Sequence, residues 1–173
     1  MLFRSIEKED LEQLRTWRND PRIYQWCRQV GTISKAQQLN WFEKQAVNPS
    51  IIMYAIEEYI IPPVGGAKDQ IVGVAGLTSI DHLNSRAEFS LYIGPEFQKS
   101  GLGGEALAEL LEIGFNDLNL NRIWGETFDK NPAIKLFEKI GMQKEGTRKD
   151  FYFKGGVYID AHLYSINKAE YRA

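Results

Sequence analysis

Seven residues from Gln98 to Gly104, reading Gln-Lys-Ser-Gly-Leu-Gly-Gly, place three glycines and a lysine between an alternating stretch and a helical one. The first amides of a helix have no internal partner and carry partial positive charge, so this junction is suited to an anion. Glycines at 101, 103 and 104 remove side chains that would hold a bulky diphosphate away from those amides, and Lys99 adds a cation. Just upstream, Ala87 to Gly94 alternates: Phe89, Leu91 and Ile93 fall on one face, Glu88, Ser90 and Tyr92 on the other. Glu88 is thus a carboxylate on the strand that runs into the anion loop, open both to acid–base work and to a solvated or salt-bridged role.

The glycines alone leave three readings. They can serve merely as a tight strand-to-helix connection. Gly101, Gly103 and Ala106 also match GxGxxA, with Glu126 at about the spacing of a ribose-binding acid. Against a dinucleotide, Pro95 to Ser100 intervene between strand and glycines, and the preceding strands read as antiparallel hairpins. A nucleoside-triphosphatase loop is excluded, because no Gly-Lys-Ser or Gly-Lys-Thr follows.

The elements that must position these groups are legible from pattern. Leu2 to Ile6 reads as a strand; Lys8 to Arg18 spaces Leu11, Leu14 and Trp17 as a helix does, stopped by Asn19, Asp20 and Pro21. Ser34 and Gln37 form a capping box for a helix that sends Leu39, Trp41, Phe42 and Ala46 inward, ending at Asn48 and Pro49. Ile51 to Glu57 and Gln70 to Ile80 read as a hairpin joined through Pro62 to Gly66, with a polar turn over Asp81 to Ser85. Leu102 to Leu118 is helical and Arg122 to Phe128 a strand. Asn131 caps a helix with Pro132 first, Ile134, Phe137 and Ile140 inside, and Gly141 as its stop. Met142 to Phe153 and Val157 to Ile166 close the chain as a hairpin turning at Lys154, Gly155 and Gly156.

Composition sets the limits. The 173 residues are 43% hydrophobic and 25% charged, which fits one globular domain over 1–173. A net charge of −2 argues against a nucleic-acid partner. Cys27 stands alone, so neither a disulfide nor a cysteine metal cluster is expected, and the compartment reads as reducing and cytoplasmic. No run of about 18 apolar residues argues for a membrane span. His82 in a polar turn and His162 in an apolar strand do not suggest a metal pair, so no metal is expected.

Three segments in order carry a family resemblance: Ala87-Glu88-Phe89 leading to Ile93-Gly94-Pro95; Gln98 to Gly104, which fits QxxGxG; and Asn131-Pro132-Ala133 leading to Phe137-Glu138-Lys139-Ile140-Gly141-Met142. With them the chain resembles the GNAT acetyltransferase superfamily over nearly its whole length. Leu14 to Asn19 and Gly156 to Asp160 look like the branch holding ribosomal-protein amino-terminal and nucleotide-sugar N-acetyltransferases. The resemblance implies an α/β (mixed α+β) fold, its mostly antiparallel sheet of about seven strands flanked by helices on both faces.

The cofactor implied is acetyl-CoA. Its pantetheine arm would run along the backbone of Leu91, Tyr92 and Ile93, and its pyrophosphate would meet Gln98, Lys99, Ser100, Gly101, Leu102, Gly103 and Gly104. Asn131 and Phe137 would touch the arm, although capping alone explains Asn131. Glu88 would take the amine's proton through a water, and the amide of Tyr92 or Ile93 would hold the oxyanion. The family often has a tyrosine, the acid for the leaving thiolate, where Phe137 stands. A thiol with a pKa near 8.5 leaves tolerably unaided, and Tyr152 and Tyr158 are the other donors in reach of this reading.

The acceptor reads as a primary amine, a nucleotide-linked amino sugar slightly ahead of a protein amino terminus, with Arg18 meeting an anionic acceptor. A catalytically silent acyl-CoA-binding module is the alternative. Apolar residues on the final hairpin suggest a homodimer.

Overall fold

The computed structural model describes residues 1–60 and 68–171. Seven strands form one sheet in the order β1-β2-β3-β4-β5-β7-β6. They are β1 (Leu2–Ser5), β2 (Ile52–Ile60), β3 (Lys68–Asp81), β4 (Arg86–Ile93), β5 (Arg122–Phe128), β6 (Gln143–Lys154) and β7 (Val157–Asn167). Every neighbouring pair is antiparallel except β4 and β5, which run parallel. The expected mixed, mostly antiparallel sheet is therefore present. The Pro62 to Gly66 turn expected between β2 and β3 lies outside the described residues.

Helices cover both faces. On one, α1 (Leu11–Asn19), α2 (Pro21–Tyr24) and α3 (Lys35–Ala46) bury Leu14, Trp17 and Ile23 against Ala55 and Val74. On the other, α4 (Leu102–Glu112) and α5 (Ile134–Lys139) bury Leu107, Leu110, Leu111 and Phe137 against Leu77, Ile123 and Ile166. Fully burying an aliphatic or aromatic side chain of this kind contributes about 1.5–3 kcal/mol, so these two layers fix the sheet between them.

Several local readings are corrected. Lys8–Asp10 is a 3₁₀ turn ahead of α1. The Asn19-Asp20-Pro21 stop is also a start: Asp20 Oδ1 accepts from the Arg22 amide at 2.8 Å and Pro21 takes the first position of α2. In α3 the inward stripe is Gln38, Trp41, Phe42 and Gln45, whereas Leu39 and Ala46 face solvent. The capping box of Ser34 and Gln37 is formed as expected. The helix expected to run to Leu118 keeps α geometry only to Glu112, then makes one π turn over Ile113–Asp117.

The feature that creates a site is a short parallel pairing. β4 and β5 pair only at Arg86↔Arg122, Ala87↔Ile123 and Glu88↔Trp124. Beyond Glu88, β4 continues to Ile93 while paired to β3 alone. The sheet opens there into a V whose apex is the Glu88–Trp124 pair.

Candidate active site

The first unpaired position in the V sets Phe89 beside Gly125. A Cβ on Gly125 would lie 2.2 Å from Phe89 Cε1, so the ring occupies the space a side chain on β5 would need. Phe89 packs in turn edge-on against Phe137, ring centroids 5.1 Å apart. Along the open edge the backbone alternates. The Gly94 amide bonds Val72 O at 2.8 Å, so even-numbered residues of this stretch, Tyr92 included, point their amides at β3. Leu91 and Ile93 point theirs into the V. Of the two amides named for an oxyanion, that of Tyr92 is thus spent within the sheet, and that of Ile93 faces the opening.

At the wide end of the V, Lys99 and Gly101 adopt left-handed backbone (φ 64° and 93°) and carry the chain into α4. Gly101 needs glycine's freedom, since its conformation is costly for a residue with a Cβ. Among the described residues, the amides of Lys99 to Gly103 donate to no protein acceptor; the first α4 bonds come from Gly104 and Glu105 to Gly101 O, at 2.9 and 3.3 Å. Gln98 Nε2 donates to Ile93 O at 3.2 Å and Ser100 Oγ to Phe97 O at 2.6 Å, which hold the loop to the strand end. Packing does not require glycine at 103, because a Cβ there would meet Ile93 and Leu136 only at an ordinary 3.7 Å. Free amides, a lysine and a glycine that the protein's own packing does not explain fit a diphosphate.

At the apex, Glu88 is 7% exposed and accepts from Arg28 Nη2 at 2.6 Å. Arg28 Nη1 also stands 3.9 Å from Glu126 Oε1. Glu126 accepts from Arg148 Nη1 at 2.6 Å and from the Tyr152 hydroxyl at 2.5 Å. Burial works against the Arg28 charge, but Glu88 and the Tyr152 hydroxyl together outweigh it and raise its pKa. Burial, together with Glu126, pushes the Tyr152 phenol up. Tyr152 is therefore tied to Glu126. Tyr158, the other donor considered, is 65% exposed and does not line the cleft.

These groups share one cleft of about 480 Å³, lined among others by Arg18, Trp26, Arg28, Glu88, Ser90, Tyr92, Gln98, Lys99, Gly103, Glu126, Phe128, Asn131 and Phe137. Its volume and mixed lining suit a small ligand. Arg18 donates from Nε to Gln29 Oε1 at 2.9 Å and lies 5.7 Å above the Tyr92 ring. Burial pushes the Tyr92 phenol up, opposed by the Arg18 charge, so the hydroxyl stays protonated through the physiological range. Asn131 both bridges and caps: Nδ2 donates to Thr127 Oγ1 at 2.8 Å, and Oδ1 accepts from the Ala133 amide at 3.0 Å. The helix proper starts two residues later than expected, at Ile134, and is stopped as expected by Gly141 (φ 96°), with the Met142 amide bonding Phe137 O.

Of the residues singled out in sequence, Arg18, Glu88, Leu91, Tyr92, Ile93, Gln98, Lys99, Gly103, Asn131 and Phe137 meet in this cleft. Ser100, Gly101, Leu102 and Gly104 shape the loop from behind: Leu102 packs on the core and Gly104 sits against Leu136. Sequence pattern misses Arg28 and Trp26. They lie in an irregular stretch after α2, which has no periodicity to assign a face. Glu126 stands out in sequence only as a ribose-binding acid, and its buried side chain is instead part of the apex.

Residues 1–143 match the acetyltransferase (GNAT) domain family, and the chain belongs to that family. It is 29% identical over 99% of its length to an uncharacterized N-acetyltransferase of Bacillus licheniformis, covering 94% of that protein. It is 26% identical over 99% of its length to the spermidine N(1)-acetyltransferase of Escherichia coli, covering 88%. The fold matches a spermidine N-acetyltransferase from Vibrio cholerae, solved in complex with CoA and spermine, with a TM-score of 0.89 at 24% identity over 98% and 96% of the two chains. The chain is an acetyl-CoA-dependent N-acetyltransferase.

Proposed function

We propose that this enzyme acetylates a primary amine of a small, positively charged aliphatic molecule. The observation that carries the reading is that two carboxylates, Glu88 and Glu126, stand at the apex of the V and hold a cation between them. The similarity to spermidine N-acetyltransferases supports the same class of acceptor. The nucleotide-linked sugar favoured from sequence suits this apex less well, since its diphosphate would enter beside two carboxylates.

The residues have distinct tasks in this reading. The amides of Lys99 to Gly103, with the Lys99 ammonium, hold the donor's pyrophosphate. The open edge at Leu91 and Ile93 aligns its pantetheine arm, and Asn131 and Phe137 flank that arm. Glu88, through one water, takes a proton from the acceptor ammonium. The freed nitrogen attacks the thioester carbon; a C–N bond forms as the C–S bond breaks, and the Ile93 amide stabilises the oxyanion between. The second proton on nitrogen goes to the departing thiolate, with no tyrosine at 137 to supply it.

Arg18 favours a second reading. It lines the cleft without a carboxylate partner among the described residues, so an acceptor bearing a carboxylate or phosphate would place that group there. Free-thiol release at saturating acetyl-CoA, with spermidine, an amino acid and a nucleotide-linked amino sugar as acceptors, separates the two. Release with none would favour a silent acyl-CoA-binding module.

Residues 1–173 act as one catalytic domain, since strands from Leu2 to Asn167 share a single sheet. No helix among the described residues is long and apolar enough to cross a membrane. The free Cys27 fits a reducing, cytoplasmic setting. Exposed Phe151, Phe153, Val157 and Tyr158 at the tip of the edge hairpin support pairing of two copies there.

A further inference from the structure

We infer that Arg28 is a built-in occupant of the acceptor's ammonium subsite, a side chain that an incoming amine must displace. The inference rests on the reading of Glu88 and Glu126 as that subsite. Three observations carry it.

The first is the asymmetry of partners. Glu88 has Arg28 as the one side-chain partner of its carboxylate among the described residues, at 2.6 Å. Glu126 is held independently by Arg148 and Tyr152, and Arg28 reaches it only at 3.9 Å. The guanidinium therefore takes the place on Glu88 that an acceptor's nitrogen must approach.

The second is charge. Glu88 and Glu126 balance Arg28 and Arg148, two against two. An ammonium that entered with Arg28 in place would set three cations against two buried carboxylates, an unfavourable excess of positive charge. Departure of Arg28 restores the balance, so amine entry and Arg28 release are coupled.

The third is freedom to move. Both carboxylates are buried and fixed on strands, but the Arg28 side chain is half exposed and follows an irregular segment. Lys154 Nζ, bonded to the carbonyls of Tyr24 and Cys27, pins the backbone just before it. The backbone is held and the side chain is free to swing into water.

The occupant lowers apparent amine affinity by the fraction of time that it is docked, and discriminates against ligands lacking a positive charge to replace it. The test is calorimetric titration of spermidine into the CoA-loaded protein, which needs no turnover. Arg28→Gln is expected to bind spermidine about tenfold more tightly than the natural protein if Arg28 is docked about nine-tenths of the time. Arg28→Lys, which keeps a cation, should stay close to the natural protein. Added guanidinium ion should weaken spermidine binding to Arg28→Gln more than to the natural protein, and CoA affinity should not change. Equal, weaker or absent spermidine binding in Arg28→Gln, with CoA affinity intact, overturns the occupant role. The subsite has its own control: Glu88→Gln should lose spermidine affinity, and if it binds as the natural protein does, the assignment of Glu88 falls instead.

Discussion

Phe89 lies where a side chain at residue 125 would be: a Cβ on Gly125 would approach its ring to 2.2 Å. This pair occupies the first register position at which β4 and β5 no longer bond, so it stands where the sheet opens. A glycine inside a strand weakens pairing and admits close approach, and here it admits a ring.

Gly125→Ala is expected to force Phe89 off its rotamer and against Phe137. Overpacking of this kind costs about 1–3 kcal/mol, so the urea midpoint should fall at constant m-value. CoA affinity should fall with it. An unchanged or higher midpoint would show that the ring is not wedged.

Gly103 separates packing from ligand binding. A Cβ at that position meets nothing closer than 3.7 Å, so Gly103→Ala should melt within a few degrees of the natural protein. Gly103→Glu puts a carboxylate into the anion loop and should weaken CoA binding by about tenfold or more, the equivalent of about 1.4 kcal/mol. Titration of CoA by calorimetry reads both variants; natural affinity in Gly103→Glu would remove the loop from the donor site.

Glu88→Gln addresses the base. A positioned general base contributes about 10²–10⁴-fold, and an aliphatic amine has a pKa near that of lysine, about 10.4. Turnover by the variant should fall steeply at pH 7 and recover toward the natural enzyme as the amine deprotonates at alkaline pH. A loss of the same factor at every pH would assign Glu88 to binding alone.

Asp10 joins β1 to the start of α1, the helix that carries Trp17 and Arg18. Burial pushes its carboxyl up, but Arg4, at 2.8 and 3.0 Å, and the Glu7 amide, at 2.8 Å, more than offset this and hold it below the usual range. A depressed native pKa stabilises the fold above the unfolded value, about 3.9. That contribution is lost as pH falls through the lower native value. Asp10→Asn should therefore cost about 1–3 kcal/mol at pH 7, with the gap closing below pH 4. Urea melts at several pH values check it, and a gap that persists at low pH would contradict the assignment.

Much of the sheet and of the donor loop is legible in the sequence, for identifiable reasons. The two faces of β4 follow from period-two alternation, and the loop from glycines whose one clear use is at a helix start. The split of the Lys8 to Arg18 helix and the π turn after Glu112 are not legible, because both keep the same apolar spacing as a continuous helix. Hydrophobicity assigns Leu39 inward, yet Gln38 takes the buried position through the geometry of α3 on the sheet. The V itself is not legible from local pattern, since nothing in the residues of β5 except Gly125 marks where pairing ends. The Glu88–Arg28–Glu126 apex joins residues up to 98 positions apart across two strands and a loop, a relation that local pattern does not encode.

The identity of the acceptor is the most direct test of the apex. Thiol release from acetyl-CoA, followed with spermidine and with a nucleotide-linked amino sugar in the natural enzyme and in Glu126→Gln, measures it. Saturable release with spermidine, a raised KM for it in Glu126→Gln and no release with the sugar nucleotide is the result predicted from two carboxylates at the apex. Turnover of the sugar nucleotide with spermidine inert would contradict it, and would move the acceptor site to Arg18.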